Sequence, residues 1–142
     1  MTTQYLVLSF SATTSNLTVQ HYSPGVIDML CLNLPNGTIA PIFGRDIFPV
    51  LSAHSASLAS HNTFKAFKAT VTNAIVRGNA VSVETGLLTG IEEKKTGGWF
   101  GAGGAEKSVL KRTEERYITH WTPLKDELGQ VGWVVLTVAP KL

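Results

Sequence analysis

The sequence predicts an α+β domain in which a five-stranded antiparallel sheet carries short helices on one face. Three observations lead there. Residues 4–11, 17–22 and 80–89 alternate apolar and polar side chains with the period of a half-buried strand. Residues 63–77 repeat large apolar side chains at helical spacing. Residues 116–140 read as strand, tight connection and strand, because Pro123 to Gly129 supplies turn chemistry between two aromatic and β-branched runs.

In chain order, Leu6, Leu8 and Phe10 alternate with Val7 and Ser9 in a first strand. Leu17, Val19 and His21 alternate with Thr18, Gln20 and Tyr22 in a second, after a polar turn at residues 13–16. Ser23-Pro24 resembles a helix start, with Ser23 as N-cap and Pro24 at the first position, leading into a short helix through Leu30. Asn33 to Gly37 end it, and Ile42 to Leu51 follow as short apolar elements around Gly44.

The spacing of Phe64, Phe67, Val71 and Ile75 predicts a helix from about Thr63 to Arg77, with Asn62 capping its start and Gly78 its end. Val81, Val83, Thr85 and Leu87 then mark a third strand. The Gly-rich stretch and the charged residues after it, about 96–114, are expected to be a flexible insert before the closing hairpin. In the last strand Trp133, Val135 and Thr137 alternate with Val134, Leu136 and Val138, so both faces are largely apolar and the strand belongs in the middle of the sheet. Chain length and pattern fit one domain over residues 1–142.

Composition limits the function. Hydrophobic residues at 44% and charged residues at 15% fit a folded chain, and a net charge of +2 without a dense basic run does not suit nucleic acid. No stretch nears the roughly 20 apolar residues of a membrane span, and the N-terminus lacks the pattern of a signal peptide. The single Cys31 excludes an internal disulfide and a multi-cysteine metal site, fits a reducing compartment, and is expected to be a core residue. A cytoplasmic location follows as the expectation; the terminal Pro140-Lys141-Leu142 differs at one position from the peroxisomal Ser-Lys-Leu tail and leaves that address as the minority alternative.

Three segments, in order and at suitable separations, resemble a PAS domain in the style of small fungal PAS proteins: Gln20 to Leu30, Phe43-Gly44-Arg45-Asp46 to Leu51, and Thr122 to Trp133. The insert between the third and fourth strands is longer than is usual in that family. The resemblance implies a small-molecule pocket between sheet and helices, or a sheet used for dimerisation, rather than a reaction. Flavin photoreceptors of the superfamily carry a cysteine in an Asn-Cys-Arg motif just after the Gly-Arg turn. Arg45 to Leu51 contains none, so a flavin adduct is not expected. Haem would need an axial ligand on or beside the long helix; His54 and His61 lie just before it, and haem is not expected either.

His120 is the first candidate for chemistry. It shares a strand face with Ile118 and Thr122, and if that face meets the helices its imidazole enters the pocket as acid, base or hydrogen-bonding group; otherwise it is structural or faces solvent. Glu84 would orient it if the two lie cross-strand, and is otherwise an outward glutamate. Arg45 either closes a structural turn or meets an anionic ligand. With Trp121, Trp133 and Phe67, His120 and Arg45 make up the expected ligand-binding set. Trp99 and Phe100, in the Gly-rich run, suit a lid or a partner contact as well as plain flexibility. No metal site is expected, because His54 and His61 are seven residues apart, roughly 10 Å along a helix.

The function expected is a PAS-like sensory or interaction domain that binds a small apolar or aromatic molecule and pairs through its sheet. The alternative is a small cofactor-free cyclase or isomerase, with His120 as its acid/base. A protein-interaction module without a ligand is the third reading.

Overall fold

In the computed structural model the residues described are 3–30, 32, 36–39, 41–96 and 107–142, those at 89–96 and 107–113 by backbone alone. Five strands form one antiparallel sheet: β1 (Gln4–Ser11), β2 (Asn16–Tyr22), β3 (Val81–Thr96), β4 (Lys107–Lys125) and β5 (Val131–Pro140), in the spatial order β2-β1-β5-β4-β3. Helices α1 (Gly25–Met29), α2 (Ile47–Ala53) and α3 (His61–Val76), with a 3-10 turn at Ser57–Ala59, lie between β2 and β3 in the chain.

The expected fold is therefore present, with the first hairpin in the same sheet as the rest and β5 at its centre. Leu6 and Leu8, Leu17 and Val19, Leu87, Tyr117 and Trp121, and Val134, Leu136 and Val138 form the inner face, where they meet Phe48, Phe67, Val71 and Ile75 of the helices. At about 1.5–3 kcal/mol for each large apolar side chain removed from water, this face is the main stabilising contribution.

Both sheet edges are closed by one strap of chain centred on α2. On the β2 side, the Val19 N–H donates to the Arg45 carbonyl (2.9 Å) and the Gly44 N–H to the Val19 carbonyl (2.7 Å). On the β3 side, the Leu88 N–H donates to the His54 carbonyl (2.6 Å) and the Ser55 hydroxyl to the Gly86 carbonyl. A flat sheet of five strands would hold its edges about 19 Å apart, four strand spacings, so a strap with so short a helix requires the sheet to curl around the helical layer. Gly44 turns the strap at φ 77°. Asp46 starts α2 by accepting from the Phe48 N–H (3.1 Å).

Three boundaries differ from the sequence expectation. Ser23 does not cap α1: Pro24 occupies that position, while the Ser23 hydroxyl accepts from the Tyr5 N–H (3.0 Å) and donates to Gln4 (2.7 Å), tying the helix start to β1 instead. Helix α3 begins at His61 with Ser60 ahead of it, so Asn62 lies inside its first turn; its end at Gly78, with φ 73°, is as expected. The charged residues from Lys107 onward are strand and not flexible insert, paired with β3 from Thr96↔Lys107 to Val81↔Trp121. The intervening residues 97–106 lie outside those described.

Candidate functional site

The space between sheet and helices is occupied by three rings. Phe48 of α2 stacks on Trp121 of β4, with centroids 5.7 Å apart and planes at 15°. Phe67 of α3 meets Trp121 edge-on at 6.1 Å and Phe48 at 6.2 Å. Such offset and edge contacts add roughly 0.5–1.5 kcal/mol per pair beyond burial. Trp121 has 0% exposure, and its indole N–H donates to the Thr119 hydroxyl (2.9 Å), which itself donates to the Val83 carbonyl (2.7 Å). Every polar atom in this chain of contacts is satisfied. Two of the expected ligand-binding residues, Phe67 and Trp121, thus come together, in a packed cluster. Phe48 completes it; the Asp46 cap followed by apolar residues at 47, 48, 50 and 51 was the signal for its helix.

His120 lies on the other side of the sheet. Tyr117, Thr119 and Trp121 point inward, so Ile118, His120 and Thr122 point away from the helices, and the imidazole is exposed. Its Nδ1 shares a 2.6 Å hydrogen bond with the hydroxyl of Ser82, its cross-strand partner. Glu84 is opposite Ile118 and does not orient His120; its carboxylate accepts from Arg116 Nε and Lys141 Nζ, each at 3.0 Å. The Arg116 hydrogen bond first, and that of Lys141 second, hold the Glu84 carboxyl below the usual carboxylate range. An acid/base pair inside a pocket is therefore not what His120 and Glu84 form.

The same outer face carries Trp133. Leu124 and Trp133 lie directly cross-strand, both 47% exposed, and Ile118 (40%) and Tyr5 (42%) extend the apolar surface over β4, β5 and β1. Half-buried Val7 and Val135, paired with each other, fill its centre.

Arg45 stands apart from both regions, exposed on the strap, where its side chain lines a groove of about 410 Å³ along α2 together with Ile42, Val50 and His54. His54 ends α2 and His61 opens α3. Among the described residues no group of three or more His, Cys, Asp or Glu side chains is placed to hold a metal ion. Cys31, Trp99 and Phe100, the core cysteine and lid candidates, lie outside the described residues. Among the described residues no helix is long and apolar enough to cross a membrane.

No protein-family model and no curated protein sequence matches the chain. Solved structures do. The light-state structure of the blue-light photoreceptor Aureochrome1 LOV superposes with a TM-score of 0.59 at 13% identity, over 98% of this chain and 81% of that one. An RNA-binding light-oxygen-voltage receptor gives 0.58 at 13% identity, over 96% of this chain and 28% of the receptor. A fungal LOV domain photoreceptor gives 0.50 at 16% identity, over 98% of this chain and 74% of that one. At these identities the likeness is one of architecture, and the fold is PAS/LOV-like.

Proposed function

We propose that the chain is an interaction domain of the PAS/LOV-like sensory fold that pairs with a second copy of itself through the outer face of its sheet. One observation carries this reading: the apolar surface formed by Trp133, Leu124, Ile118 and Tyr5 around the Val7–Val135 pair. An exposed apolar patch marks an interaction site, and a half-exposed tryptophan within it is the residue type that dominates such interfaces. One surface patch used by both copies meets itself under a twofold axis, the commonest symmetry of protein pairs.

Packing of Phe48, Phe67 and Trp121 against one another supports the same reading, because a ligand seated among these rings would have to displace them. The cyclase or isomerase alternative needs an enclosed acid/base, whereas His120 is exposed beside Ser82.

Sedimentation of the purified chain across a concentration series tests the proposal. The expected result is a monomer–dimer equilibrium that Trp133→Glu weakens at least roughly 30-fold, equivalent to about 2 kcal/mol for an interfacial tryptophan, with unchanged circular dichroism. A wild-type chain that stays monomeric at the highest concentration reached removes it.

A further inference from the structure

We propose that the groove on the outer flank of α2 binds a small apolar monocarboxylate, with Arg45 as the counter-ion of its carboxylate. This goes beyond pairing through the sheet, and it concerns the opposite layer of the molecule. The groove measures about 410 Å³, within the roughly 300–1,000 Å³ of small-molecule sites. Leu32, Ile42 and Val50, all buried, form its depth, and Pro49 and Ala53 rise beside them. The described lining comes entirely from residues 32–54 and includes no strand residue, so an occupant here lies outside the ring cluster formed by Trp121.

Charge selects the ligand. Arg45 is the cation of the described lining, is exposed, and has no ion-pair partner among the described residues. The one carboxylate there, Asp46, is half-buried and accepts from the Phe48 N–H as the cap of α2. A guanidinium fork binds a carboxylate through two parallel hydrogen bonds. A dianion would set a second negative charge near Asp46, which favours a single carboxylate with an apolar body. Arg45 precedes α2 and His54 follows it, so the two residues are about 14 Å apart along the helix, a length over which an aromatic or short aliphatic body lies on Ile42 and Val50 while its acid end meets Arg45.

The test uses 3-phenylpropanoate and its neutral amide, titrated into the full chain while the methyl and aromatic signals are followed by NMR. The acid is expected to shift the methyls of Ile42, Val50 and Ala53 and to bind about tenfold more tightly than the amide. Arg45→Gln should remove that difference by weakening the acid alone, and Arg45→Lys should restore part of it. Since Arg45 is exposed, both variants should keep the native spectrum. Equal binding of acid and amide, unchanged acid affinity in Arg45→Gln, shifts centred on Phe48, Phe67 and Trp121, or no saturable binding at millimolar ligand would each overturn the proposal.

Discussion

Replacing Trp121 with alanine tests whether the interior of this fold is a filled pocket. The indole is fully buried, stacks on Phe48 and meets the edge of Phe67. Truncating a buried tryptophan removes its transfer energy and leaves a cavity, together about 3–5 kcal/mol. The lost hydrogen bond adds little to this, because the Thr119 hydroxyl still donates to the Val83 carbonyl and no buried donor is orphaned. A value near 4 kcal/mol follows, a large share of the roughly 5–15 kcal/mol that holds a domain folded, and a melting temperature lower by on the order of 15 °C. Urea unfolding with and without added indole is the assay. Indole should refill the vacancy and, at a hundredfold excess over its dissociation constant, return about 2.7 kcal/mol. A loss below about 1 kcal/mol, the range of a surface substitution, would show that Trp121 does not fill the interior. A full loss that indole leaves unchanged would show that the space collapses instead of persisting as a pocket.

The remaining predictions concern the edge and the outer face. Ser55→Ala should cost about 1–3 kcal/mol and speed amide exchange at Leu88, because the buried hydroxyl donates to the Gly86 carbonyl and accepts from the Leu58 N–H (3.1 Å) beside the His54–Leu88 bond; unchanged exchange would mean that the edge is held elsewhere. The Glu84 carboxyl should titrate below its ordinary range, and Arg116→Ala should raise its midpoint, as read by carboxyl carbon shifts. Since the folded state lowers this value, the stability it contributes is present above the unfolded carboxyl's range and is lost as pH falls through the folded one, the more weakly at high salt. A midpoint unmoved by Arg116→Ala would refute that cause.

Much of this architecture is legible in the residues because alternation and helical spacing are local. Leu6 and Leu8, Val134 and Leu136, and Phe67, Val71 and Ile75 announce their faces without reference to any partner. The strand from Lys107 to Glu115 does not, because its partners Glu92, Glu93, Lys94 and Lys95 are as polar as it is, and the backbone ladder that joins them leaves no apolar pattern. The parity of β4 is readable, yet which parity faces the helices depends on what opposes it. The pair Tyr117 and Trp121 outweighs Ile118 and His120 in apolar volume, and that comparison is the signal that places His120 outside. The Ser82–His120 and Glu84–Arg116 contacts depend on register between distant strands, which no single segment encodes.

The strap explains why a ligand does not reach the centre of this fold past α2. For a ligand to reach the rings of Phe48, Phe67 and Trp121 past α2, the strap must leave at least one sheet edge. Leaving both breaks the Val19–Arg45, Gly44–Val19, Leu88–His54 and Ser55–Gly86 bonds together, which costs on the order of several kcal/mol before any ring moves. Moving α2 also pulls Phe48 off Trp121, since the side chain that packs inward and the backbone that closes the edges belong to the same short helix. A groove on the outside of that helix and an open sheet face on the opposite layer need neither change. Recognition at both sites can therefore proceed with the core intact, and this is the physical reason to expect binding at Arg45 and pairing at Trp133 to be separable by single substitutions.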